Sequence, residues 1–267
     1  MDLLLKDKNI AITGCSTGIG RGMALGLAKQ GANIVALCLP VDSEREHIKS
    51  LETEILGIRS VQNPSKNPKG GPAFIAMEGD VSNSESLESL CQLAVESFGE
   101  LNVMVANAGI TKVHDFPSSS DELYHEQIRV NLDGVYYAVK QAARVMKRQG
   151  NGGSIIVTAS IRSLMGGLGF VEYSASKGGV LSIVQSAAAS LGPYNIRCNA
   201  ILPGTINVRP TRPVTEKTTE FISRIPMNRL GTPADLAGPA VFLASDLSEY
   251  MNGSQLLVDG GLFNNLH

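Results

Sequence analysis

In EYSASKGG, residues 172–179, a tyrosine and a lysine stand four positions apart among small side chains. On a helix that spacing puts Tyr173 and Lys177 on one face, a turn apart. An ammonium held beside a phenol favours the phenolate. Such a pair suits a general base that removes a hydroxyl proton, or an acid that returns it in the reverse direction. The neighbours Ser174, Ala175 and Ser176 leave room for a ligand to reach the phenol. Taken alone the pair is common, and its meaning depends on what else the chain brings to the same place.

A second chemical element lies near the start of the chain. ITGCSTGIGRG, from Ile12 to Gly22, follows an apolar run and opens a helical pattern. Gly14, Gly18 and Gly20 allow a tight turn and close approach to a pyrophosphate, with Ser16, Thr17 and Ile19 on the same loop. The Gly-x3-Gly-x-Gly spacing differs from GxGxxG. Further elements sit at later strand ends. Asp80 is placed for an adenine amine, and Val81 to pack on the ring. Asn107, Ala108 and Gly109 of ANAG are small where bulk would block a cofactor. Pro203 and Gly204 of LPG, with Ile206 just beyond, make a turn near a nicotinamide. Each is compatible with plain turn chemistry; their recurrence at successive strand ends points to a dinucleotide.

The elements that must position these residues follow a simple rhythm. Apolar runs rich in Val and Ile predict strands at 9–13, 33–39, 73–78, 102–107, 154–160, 196–202 and 254–260. They do not alternate with polar residues, as expected for parallel strands covered on both faces. Helical periodicity lies at 19–30, 43–57, 84–98, 121–149, 171–192 and 233–245. The expectation is an α/β chain with a doubly wound, Rossmann-type parallel sheet of about seven strands and helices on both faces, one domain over 1–267. Residues 61–72 read as a polar surface insertion. The proline-rich segment after the sixth strand, about 205–232, is a candidate substrate lid, because ligands in such sheets sit beyond the strand carboxyl ends.

With these motifs in order, the chain resembles the short-chain dehydrogenase/reductase family. TGCSTGIG is similar to its TGxxxGxG turn, ANAG to its NNAG motif and YSASK to its YxxxK motif. The likeness runs from about residue 6 to 262. It implies that Ser160, thirteen residues before Tyr173, and Asn131 in VNLDGVY complete a catalytic set with Tyr173 and Lys177. In that set Ser160 hydrogen-bonds the substrate oxygen, Lys177 also holds the nicotinamide ribose, and Asn131 anchors a water relay. The reaction implied is hydride transfer between a nicotinamide and a secondary alcohol or carbonyl. The family is commonly tetrameric through the two helices at 121–149 and 171–192, so a homotetramer is expected.

The choice of nucleotide is normally set at the end of the second strand. Cys38, Leu39 and Pro40 supply neither an acid nor a base there, with Arg45 as the one cation that could reach across; the reading leans to NADP, with NAD as second option. IRCNAILPGTI, SRIPMNRLGTPADLAGPAVFLASD and NGSQLLVDGGLF resemble fungal L-rhamnose 1-dehydrogenases and similar sugar dehydrogenases, which form lactones. Against that, Val208 replaces a usual threonine, and the apolar loop 161–170 (Leu164, Met165, Leu168, Phe170) suits a reductase of a hydrophobic carbonyl or imine. A redox-silent, cofactor-bound scaffold is a third alternative, opposed by the complete catalytic set.

Bulk properties narrow the classes further. The chain has 267 residues, 43% hydrophobic and 18% charged, with a formal net charge of −2. That balance removes the electrostatic case for nucleic acid or anionic membranes. No stretch approaches a membrane span, and the first residues lack a secretory pattern. Cys15, Cys38, Cys91 and Cys198 are scattered without metal or disulfide spacing, so neither a metal nor an oxidising compartment is expected, and the cytoplasm is.

Overall fold

The computed structural model describes residues 3–62, 73–208 and 216–265. Seven strands form within two residues of their predicted ends: β1 (Asn9–Thr13), β2 (Asn33–Cys38), β3 (Phe74–Glu78), β4 (Val103–Ala106), β5 (Gly153–Thr158), β6 (Ile196–Pro203) and β7 (Gln255–Val258). They make one sheet in the order β3-β2-β1-β4-β5-β6-β7, every neighbouring pair parallel. The chain winds outward from β1 to β3, then crosses back to place β4 on the other side of β1. The doubly wound expectation therefore holds.

Alternate side chains of each strand fill two separate cores, which is why the strands read as unbroken apolar runs. Ala11, Met104, Ile155 and Val157 face one layer. Ile10, Ile12, Val105 and Ile156 face the other. The first layer is closed by α3 (Ser84–Phe98), α5 (Gly134–Gln149) and α6 (Val171–Leu191), and the second by α1 (Gly18–Lys29), α2 (Asp42–Gln62) and α8 (Ala237–Ala244). Fully burying each such aliphatic side chain contributes roughly 1.5–3 kcal/mol, so both faces hold the strand ends rigidly.

Two helical expectations are corrected. The pattern at 121–149 is not one α-helix: α4 (Asp121–Ile128) and α5 are separated by a π turn over Arg129–Asp133. An inserted residue leaves the hydrophobic period nearly intact, so periodicity cannot reveal it. The segment after β6, expected to be irregular, contains α7 (Glu216–Ser223). The stem of that segment is pinned by a bridge between Ile206 and Gly231, with Asn207 N donating to Gly231 O at 2.7 Å. The central part of the lid expected at 205–232, residues 209–215, lies outside the described residues, as does most of the polar insertion. Among the described residues, no helix is long and apolar enough to cross a membrane, and no group of His, Cys, Asp and Glu is placed to hold a metal ion.

Candidate active site

Strand order reverses between β1 and β4, and beyond the carboxyl ends of these strands lies a cleft of about 1440 Å³. Crevices of open α/β sheets form at this switch point because the connections leave in opposite directions. The loop from β1 into α1 forms its floor. Gly14 and Gly18 have φ of +64° and +56°, which only glycine adopts without strain. Gly20 must lack a side chain for another reason: a Cβ there would stand 2.2 Å from Gly14 O and 2.5 Å from Asn107 Nδ2. Thr17, the N-cap of α1, makes no side-chain cap bond, and the first turn of α1 holds no acidic residue. The first-turn amides thus meet no protein carboxylate or cap, while Thr17, Gly18, Ile19 and Gly20 line the cleft. That is the partner set an anionic pyrophosphate requires, so the residues present fit a dinucleotide.

Asn107 works chiefly as a strut at this floor. Its Nδ2 donates to Thr13 O (3.1 Å) and Gly14 O (2.8 Å), and its Oδ1 accepts from Thr158 Oγ1 (3.1 Å). The ends of β1, β4 and β5 are thereby tied together. Asp80 is exposed on the wall, its Oδ1 accepting from Ser82 N at 2.8 Å. Cys38 and Leu39 line the wall between Asp80 and the glycine turn, joined by Ser43, Glu44 and His47 from α2. Ser16 Oγ donates a short hydrogen bond to Glu44. Arg45 does not reach across: its guanidinium binds Glu78 and Asp42.

At the other end, Lys177 is almost fully buried, 3% exposed, and Nζ donates to Thr158 O at 2.8 Å. It stands 5.9 Å from the centroid of the half-buried Tyr173 ring. Desolvation, with no carboxylate to offset it, pushes the Lys177 ammonium down to about 8. Lys177 lies beside Gly109, where a Cβ would come within 3.4 Å of Nζ and 3.1 Å of Asn131 Oδ1. Asn131, completely buried at the centre of the π turn, accepts from Ile110 N (2.8 Å) and donates to Ile110 O (2.9 Å) and Ser176 Oγ (3.2 Å). Ser176 Oγ in turn donates to Tyr173 O at 2.7 Å. The extra residue of the π turn aims Asn131 at the backbone beyond β4, clamping that strand exit to α6. Ser160 accepts from Arg162 N at 3.1 Å, which leaves its own O–H to donate.

Ser160, Tyr173, Lys177, Pro203 and Gly204 share the cleft with the glycine turn, Asp80, Val81, Ala108 and Gly109. Two residues marked from the sequence stand elsewhere. Asn131 lies behind the wall, and Ile206 packs against the second core. Val208 lines the cleft instead, its Cγ1 3.2 Å from where a Gly18 Cβ would sit. Ser43, Glu44 and His47 escaped sequence reading. Their 1-2-5 spacing on the first turns of α2 was the available signal, but only the helix's rotation decides which way that face looks. The apolar loop of 161–170 adds no residue to the cleft lining: Leu164 and Leu168 are exposed, Arg162 stacks over Phe170 at 4.8 Å, and Phe170 meets the Tyr173 ring edge-on at 6.1 Å.

The geometry agrees with comparisons to known proteins. Residues 14–263 match a family model described as enoyl-(acyl carrier protein) reductase. The chain is 44% identical to an L-rhamnose-1-dehydrogenase of Scheffersomyces stipitis, covering 98% of each chain. It is 46% identical to an L-rhamnose 1-dehydrogenase (NAD(P)(+)) of Azotobacter vinelandii, covering 99% of this chain and all of that one. Among solved structures, a short-chain type dehydrogenase/reductase from Mycobacterium marinum superposes with a TM-score of 0.85 at 30% identity, over 98% and 97% of the two chains.

Proposed function

From the premise that this chain belongs to the short-chain dehydrogenase/reductase family and is an NAD(P)-dependent oxidoreductase, we propose that it oxidises the anomeric hydroxyl of an aldose such as L-rhamnose to the lactone. The observation that carries this reading is one continuous cleft holding both the glycine turn and the Tyr173–Lys177 pair. A bound nicotinamide supplies the hydride acceptor. Tyr173, the general base, takes the proton of the C1 hydroxyl, and Ser160 donates a hydrogen bond to the same oxygen as charge develops there. Lys177, buried with no carboxylate against it, sets its ammonium beside Gly109 and 5.9 Å from the Tyr173 ring centroid, where it would donate to the nicotinamide ribose. Asn131 is a positioning residue that holds the β4 exit and α6 at fixed separation. Gly14 to Gly20 receive the pyrophosphate, and Asp80 and Val81 the adenine.

The reductase of a hydrophobic carbonyl or imine is the weaker reading, since the relatives act on a sugar and the apolar loop does not line the cleft. The lean to NADP rests on the missing carboxylate at 38–40. A homotetramer through α4, α5 and α6 is supported by the family and by the small residues of α6. A cytoplasmic setting is supported by four buried, free thiols.

The test is a turnover screen at the nicotinamide absorbance band. Aldoses with NAD or NADP are set against bulky apolar ketones with the reduced forms. Reduction of nucleotide by L-rhamnose, with a lactone identified by mass spectrometry, is the expected outcome. Turnover confined to the ketones would overturn it.

A further inference from the structure

A dinucleotide spanning the glycine turn and Asp80–Val81 must set its adenosine ribose between them. The wall at that place is made by Ser16, Cys38, Leu39, Ser43 and Glu44. β2 ends there without a carboxylate, since Cys38, Leu39 and Pro40 carry none. α2 delivers one from a different direction. Glu44, half-buried in its first turn, accepts a hydrogen bond from the hydroxyl of Ser16, itself buried on the glycine loop. The Cys38 thiol is pushed up by its burial and next by Glu44, so the carboxylate also lies within Coulombic reach of the strand end.

The cations nearby are committed elsewhere. Arg45 is held by Glu78 and Asp42. Arg21 donates to Ser16 O, His47 O, Ser50 Oγ and Glu54. Among the described residues of this wall, His47 is the remaining side chain able to carry positive charge. A carboxylate without a competing guanidinium accepts hydroxyls well and repels phosphate.

We infer that Glu44 selects the dinucleotide, accepting the ribose 2′-hydroxyl of NAD and repelling the 2′-phosphate of NADP. It takes over from α2 the task that an acidic residue after β2 usually performs. The lean to NADP drawn from residues 38–40 is thereby reversed. Ser16 keeps the carboxylate turned toward the turn, so the two act as a unit. This inference rests on reading the cleft as a dinucleotide site.

Calorimetric titration with NADH and with NADPH tests it without any turnover; the chain has no tryptophan, so heat is the better signal. The wild-type chain is expected to bind NADH about tenfold or more tightly than NADPH, the worth of one charge-assisted contact. In Glu44→Gln, which keeps the side-chain shape, that ratio falls by about tenfold, largely through tighter NADPH binding. Equal or tighter binding of NADPH by the wild type, or an unchanged ratio in Glu44→Gln, would overturn the role of Glu44 while leaving the site intact. Failure of the wild type to bind either nucleotide would overturn the dinucleotide reading itself, and Glu44's role with it.

Discussion

The two ends of the cleft are built from different materials. The floor around Gly14–Gly20 is backbone: positive-φ glycines, uncapped amides of α1 and an asparagine spent on main-chain carbonyls. The corner around Lys177 is side chain: an ammonium and an amide removed from water, each held to a strand exit. Backbone donors tolerate many nearby residue types but no added bulk. Buried side-chain donors tolerate change of neither type nor charge. One end is specified by what is missing, the other by what is present.

That contrast can be broken most directly at Tyr173. Tyr173→Phe is expected to lower kcat/KM by about 10²–10⁴-fold while NADH affinity and melting temperature stay near wild type. Comparable loss of NADH affinity would mean the two ends are not separable. Gly20→Val is the reciprocal change. Its Cβ would strike Gly14 O and Asn107, so melting temperature and NADH affinity should fall together, by roughly 2–4 kcal/mol of stability. A well-folded Gly20→Val chain that binds NADH normally would refute the account of the floor.

Lys177→Met sharpens the other side. The folded chain holds Lys177 at about 8 against 10.5 for the ordinary group, so between those pH values the unfolded state binds more protons. Wild-type stability therefore rises with pH across that window, by at most about 3 kcal/mol, and the penalty is fully present below it. Measured by denaturant melts, the wild type should gain on Lys177→Met from pH 8 to 10 although the variant is inactive throughout. A constant difference between the two would show that the ammonium is not desolvated. The smallest effect is expected at Leu168, fully exposed on the 161–170 loop. Leu168→Ser should change stability by less than about 0.5 kcal/mol and leave KM for an aldose nearly unaltered. A large rise in KM would bring that loop into the substrate site.

Much of this was legible before any coordinates. Strands covered on both faces cannot alternate, so their apolar runs marked all seven. The glycine turn, ANAG and Tyr173–Lys177 are local patterns whose spacing carries their geometry. Less visible was anything depending on how one element is rotated against another. The π turn at Asn131 keeps the helical period and so hides within 121–149. Arg45 looked available as a cation because its ion pair with Glu78 forms only when α2 lies along β3, while Asp42, three residues before it on α2, was the one local partner.

Sequence alone therefore determined the seven strands, the floor of the cleft and the pairing of Tyr173 with Lys177 on one helix, because each is encoded within a few residues of chain. Tertiary structure alone decided that Glu44 reaches the cleft wall beside Ser16, that Asn131 lies behind the wall and that the apolar loop contributes no residue to it. Those outcomes follow from the rotation and packing of whole helices on the sheet, which sum many distant contacts, and no short stretch of residues records that sum.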